Sequence, residues 1–148
     1  MKRLADAIGR GLLAGTAGTA AMTVSSTLEA KLRGREPSTA PAKAATKALG
    51  IESFEDGDAY ERFSNLVHWG YGTGWGVARG LLRLAGFGPR IATAAHFAAI
   101  WGSALYTLPK LEVAPPVTEW GAEEVAIDVF HHLVYVSATA AAFELLEH

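Results

Sequence analysis

Ionisable side chains gather in one stretch of this chain, Trp120-Gly-Ala-Glu-Glu-Val-Ala-Ile-Asp-Val-Phe-His-His-Leu-Val-Tyr135. On a helix, Glu124, Asp128, His131 or His132, and Tyr135 fall at i, i+4, i+7 or i+8, and i+11, which sets them along one face. Carboxylates beside imidazoles support two kinds of chemistry. Histidine titrates near neutral pH, which suits a proton relay. Histidine with carboxylates also suits a divalent metal. Asp128-x-x-His131 has the spacing of the carboxylate-x-x-His ligand pairs of di-metal bundles, but the sequence holds no second pair of that kind. His68 facing His131 or His132 would supply the two axial ligands of a haem. The metal candidates are therefore His68, Asp128, His131 and His132, and the residue types alone do not choose between metal, haem and protons. Nucleophilic hydrolysis is disfavoured, because the chain has no cysteine and no serine in a nucleophile-elbow context.

These groups must be positioned by what surrounds them, and the surroundings are apolar. No Asp, Glu, Lys or Arg occurs in 11–28, 63–78, 91–108 or 129–143. An amphipathic helix of a soluble bundle carries charge on its outer face at every turn. Four helix-length gaps point instead to helices without a watery face, and with their flanks they reach the roughly 20 residues needed to cross a bilayer. The competing reading is a soluble all-α domain with a small-residue core, since Ala, Gly, Thr and Ser dilute each segment. At 148 residues the chain is one domain. Its net charge of −2 gives no concentrated basic face for nucleic acid.

The expected helices run over 8–32, 63–85, 91–108 and 122–146. In the first, Gly11, Gly15 and Gly18 give small-residue spacing for close helix contact, and Thr23, Ser25, Ser26 and Thr27 are expected to bond back to backbone carbonyls. Lys2, Arg3 and Arg10 resemble the start of a signal peptide, but the apolar run continues past Ala21 without a clean cleavage site. Arg33-Gly-Arg-Glu-Pro37 stops this helix. Ser38, Thr39 and Pro41 then cap a short surface helix ending at Gly50. The second long helix carries His68 and the glycines Gly72, Gly76 and Gly80. As a soluble helix it would lose about 1 kcal/mol per glycine, whereas in a membrane these residues form a flat packing face, expected against Gly11, Gly15 and Gly18. A phosphate-binding loop is rejected, because no Lys-Ser/Thr follows the glycines. Arg79 and Arg83 are expected to snorkel to headgroups. The third helix is expected to stop at Pro109, and Thr118 to cap the fourth. Leu146-Glu147-His148 resembles the start of a tag.

Four helices joined in series alternate in direction. One end of the bundle, side A, carries the N-terminus, the turn around Gly86 and the C-terminus; the other, side B, carries the long connection and Pro115-Pro116. His68 and the His131–His132 pair lie at similar depth from side B, roughly 8 Å at 1.5 Å per residue. Glu29, His68, Glu124, Asp128, His131, His132 and Tyr135 can thus converge in a side-B cavity, with His96 entering from side A and standing apart. Ionisable groups at membrane depth tend to face cavities and to be functional; the plainer alternative is an interhelical hydrogen-bond network. Basic residues do not orient the bundle, with six on side A and seven on side B.

Several of these motifs together resemble the YagU-type family of small bacterial inner-membrane proteins. They are Gly11-Leu-Leu-Ala-Gly15 entering a helix, Glu29 at its end, Arg35-Glu-Pro37 beyond, the His68 helix, Pro115-Pro116, Trp120, the acidic pair Glu123-Glu124, and Phe130-His-His-Leu-Val134. The long connection differs from the family pattern, and Glu29 is offset by about a turn. The resemblance implies a multi-pass place in a bacterial inner membrane and a link to protons, one enteric member of the family being associated with acid resistance. It implies no catalytic residue. The expectation is an all-α, four-helix transmembrane bundle with a short surface helix in the 1–2 connection. Membrane lipid is its expected partner, and a homo-oligomer is expected because four short helices enclose little space. A transport or proton-handling role leads; a membrane-bound metal or haem protein and an accessory subunit are the alternatives.

Overall fold

The computed structural model describes residues 1–36 and 38–147; Pro37, expected to stop the first helix, and His148 lie outside them. The described residues form α1 (Lys2–Arg33), α2 (Ala40–Leu49), α3 (Gly57–Leu84), α4 (Pro89–Lys110) and α5 (Ala122–Glu147), with a 3₁₀ turn at Val117–Glu119 and no strand. The protein is all-α.

Each long helix outruns its charge-free block, and the caps explain where it stops. Gly34 ends α1 in the left-handed region, φ 63°, where a side chain is disfavoured. Helix α3 begins at Gly57 and not near Phe63, because the Asp56 carboxylate accepts from the Ala59 N–H at 2.7 Å and Asp58 favours the helix N-terminus. Pro109 does not stop α4: it sits inside the last turn, and the helix runs on to Lys110. Thr118 does not cap α5 either, since Val117–Glu119 turns as 3₁₀. Instead the Glu124 carboxylate reaches back to the Gly121 N–H at 3.0 Å.

Helix α1 lies between α3 and α5 and runs antiparallel to both. A Cβ on Gly11 would stand 2.6 Å from the Gly76 carbonyl oxygen, and one on Gly15 would stand 2.9 Å from Gly76 Cα. The two backbones therefore touch over a surface that only glycine permits. Above and below, Gly80 meets Ala7 and Gly72 meets Thr19. Gly18 departs from the expected pairing: it faces Tyr135 and Thr139 of α5. Helix α2 packs on α3, and its Lys47 donates to the Glu112 carbonyl at 3.1 Å, tying the two side-B connections together.

Large apolar side chains face outward, among them Leu13, Val24, Leu28, Leu66, Ile91 and Phe130, while Arg79, His96, His131 and Thr139 are buried. Exposed apolar side chains on this scale, with an arginine and two histidines inside, depart from the usual arrangement of a water-soluble domain. Two helices, α4 and α5, are long and apolar enough to cross a membrane, with mean hydropathy of 1.2 and 1.3 over their best windows. Among the described residues α1 and α3 fall short of that measure, because glycine, serine and threonine dilute them.

Candidate functional site

The side-B end of α1 organises the histidines. Thr23 Oγ1 lies 2.8 Å from His68 Nε2, and Ser25 Oγ lies 2.9 Å from His131 Nδ1. Both hydroxyls already donate to backbone carbonyls, Thr23 to Thr19 at 2.7 Å and Ser25 to Met22 at 3.0 Å. A hydroxyl has one proton, so each histidine must donate to it. His131 then carries its proton on Nδ1. Its Nε2 is buried, has no hydrogen-bond partner, and stands 3.7 Å from Glu29 Oε2.

Glu29 is the hub of this end. Arg35 pairs with it closely, and Arg33 Nε lies 3.2 Å away, while Arg33 also pairs with Glu123. The Arg35 guanidinium holds the Glu29 carboxyl below the usual carboxylate range, with further help from Arg33. Glu29 is therefore a fixed anion facing an imidazole lone pair.

The remaining expected members divide. Residues two apart on a helix point to opposite sides, so Thr23 and Ser25 hold His68 and His131 on different faces of α1. The partner of His68 is Thr23 and not Asp128 or Glu124. Glu124 is exposed and serves as the cap of α5. Asp128 turns to α4, accepting from Trp101 Nε1 at 2.7 Å, and His132 Nδ1 lies 2.8 Å from the Asp128 carbonyl and 3.5 Å from its carboxylate. Tyr135 donates to the Gly72 carbonyl at 2.6 Å and meets the His96 ring edge-on at 5.6 Å. His96, set apart in the sequence reading, is thus the neighbour of one expected member. It donates through Nε2 to the Trp75 carbonyl at 3.0 Å.

These placements set the metal and haem candidates apart from one another. Among the described residues no three His, Asp or Glu side chains come together to hold a metal ion. His68, Asp128, His131 and His132 are distributed over three separate contacts, with Thr23 holding His68 and Ser25 holding His131 on different faces of α1.

On side A an arginine expected to reach outward is instead buried. Arg79 does not snorkel: it is 0% exposed, donates to the Pro89 carbonyl at 3.0 Å and to Thr93 at 3.1 Å, and pairs with Glu144 at 2.7 Å. Arg83 pairs with Glu147 at 2.8 Å. The i, i+4 spacing of Arg79 and Arg83 against Glu144 and Glu147 was the available signal. Thr23, Ser25 and Trp101 were also missed as partners, although each stands at the depth of the histidine or aspartate it meets. Comparison with protein-family models, curated proteins and solved structures finds no match to this chain.

Proposed function

We propose that this chain is a four-helix, multi-pass protein of a bacterial inner membrane, akin to the YagU-type family, and that it handles protons at the Glu29–His131 pair. The outward apolar residues, the buried polar ones and the four charge-free stretches support the membrane placement. One observation carries the proton reading. His131 is 5% exposed, its Nδ1 is engaged by Ser25, and its unpartnered Nε2 faces a carboxylate 3.7 Å away. That gap is too long for a hydrogen bond and is one that a small closure after protonation would bridge. Protonation at Nε2 would turn the contact into a charge-assisted bond, while Arg33 and Arg35 keep Glu29 anionic. The site thus offers a proton acceptor with a built-in counter-ion at the mouth of the bundle.

Two experiments test this in order. Carbonate-washed membranes should retain the protein; a monodisperse soluble protein without detergent refutes the placement. In liposomes holding a pH-sensitive dye, the wild type should equilibrate an imposed proton gradient faster than His131→Asn and Glu29→Gln. Equal rates in all three would leave His131 as part of a structural hydrogen-bond network.

A further inference from the structure

A cleft of about 550 Å³ opens between α4 and α5, within the ~300–1,000 Å³ of small-molecule sites. Its side-A mouth holds Arg79, Arg90 and Glu144, and its shaft is apolar, with Ala94 and Phe97 on one wall and Leu133 and Ala140 on the other. Ala94, Ala140 and Ala141 along the walls leave room between the helices. The ion pairs at this end join Arg79 and Arg83 to Glu144 and Glu147, and leave Arg90 without an acidic partner among the described residues. Arg79 is fully buried, yet its Nε has no hydrogen-bond partner. Two guanidinium groups against one carboxylate leave one positive charge unmatched at the mouth.

We propose that this cleft binds one anionic phospholipid, its phosphodiester at Arg90 and an acyl chain along the shaft. Charge and length both select this occupant. A phosphodiester carries a single negative charge, which matches the one unpaired guanidinium and offers oxygens to bidentate donors. From Glu144 to Leu133 the α5 wall spans eleven residues, about 16 Å at 1.5 Å per residue. That is half of a hydrocarbon core of ~30 Å, the depth of one leaflet. Free phosphate would match the mouth and leave the apolar shaft empty. A zwitterionic lipid would fill the shaft and bring the same phosphodiester, but its own cation would cancel the negative charge that Arg90 lacks.

The inference depends on the membrane placement but not on proton handling at the other end. Membrane extraction reports the placement separately, and lipid retention reports this site. Delipidated protein in neutral detergent would be offered phosphatidylglycerol, phosphatidylcholine or inorganic phosphate, and bound molecules counted by native mass spectrometry. Wild type should retain one phosphatidylglycerol in preference to phosphatidylcholine. The exposed-site variant Arg90→Gln should bind it about tenfold more weakly, as loss of a charge-assisted contact implies, and Ala94→Trp, which fills the shaft, should lose both lipids. Equal retention of the two lipids, full retention by Arg90→Gln or Ala94→Trp, competition by inorganic phosphate alone, or a second copy of the chain occupying the cleft would each overturn the proposal.

Discussion

Thr23 Oγ1 stands 2.7 Å from the Thr19 carbonyl and 2.8 Å from His68 Nε2, so one hydroxyl fixes the tautomer of a histidine on another helix. The carbonyl can only accept, which commits the hydroxyl proton to it and obliges His68 to donate from Nε2. The same logic puts the His131 proton on Nδ1, against Ser25.

Nitrogen NMR of ring-labelled protein should therefore show His68 protonated at Nε2 and His131 at Nδ1 when each is neutral. Thr23→Val should remove the bond to His68 and cost about 1–2 kcal/mol of stability, since a half-buried donor is left without its acceptor. Thr23→Ser should keep both the tautomer and most of the stability. An Nδ1-protonated His68 in the wild type would show that the hydroxyl does not set it.

The glycines of α3 divide into two faces with opposite expected behaviour. A Cβ on Gly76 would stand 2.6 Å from Gly15 Cα and 2.7 Å from its nitrogen, and backbone cannot swing away as a side chain can. Gly76→Ala should push α1 from α3 and cost about 1–3 kcal/mol by overpacking. Around Gly70 a Cβ would meet nothing within 4 Å. Gly70→Ala should be neutral or stabilising by up to ~1 kcal/mol, because alanine is the better helix former. Thermal unfolding of the two variants in one detergent gives the comparison; similar losses at both positions would count against the α1–α3 contact.

That contrast also shows what the sequence made legible. Helix number and order follow from the charge-free blocks, because a gap in charge longer than a few turns is hard to place in water. The Gly76 contact follows from glycine spacing, because close backbone approach needs small residues on both sides. Partner choice among polar residues did not follow. Periodicity places Asp128 and His131 along one face of α5, but Asp128 turns to Trp101 and His131 to Ser25 and Glu29. A helix face about 100° wide meets two neighbours, and the rotation that decides between them depends on how α5 seats against Gly18. Arg79 was misplaced for a related reason. A long side chain at a helix end reaches either outward or inward, and Glu144, which draws it in, lies on another helix.

Acid should loosen side B before it loosens the glycine interface. Arg35 and Arg33 lower the Glu29 pKa from its ordinary 4.5. A carboxyl with a depressed folded-state pKa contributes stability that is fully present above the unfolded value. That contribution is lost as pH falls through the lower folded value. Wild type should therefore melt at a higher temperature than Glu29→Gln at neutral pH, and the difference should shrink as pH falls below 4.5. A gap that persists unchanged into strong acid would mean that Glu29 contributes by packing and not by charge. Salt should narrow the neutral-pH difference, because these groups lie near solvent.

The side-A ion pair should behave differently, because one partner has no access to water. Arg79 is 0% exposed and Glu144 retains 33% of its side-chain surface. Replacing Glu144 with Gln leaves a buried guanidinium with the Pro89 carbonyl and Thr93 but no anion. The expected loss is about 2–3 kcal/mol, below the ~3–5 kcal/mol of fully buried pairs because Glu144 is partly hydrated. Glu147→Gln should lose much less, since Arg83 is more open and keeps its bond to the Phe87 carbonyl at 2.7 Å. Removing both members, as Arg79→Met with Glu144→Gln, should restore part of the loss by eliminating the uncompensated charge. Denaturant unfolding of wild type, Arg79→Met, Glu144→Gln and the double variant forms a mutant cycle. A double variant less stable than Glu144→Gln alone would mean that Arg79 stabilises the bundle chiefly through its bonds to the start of α4.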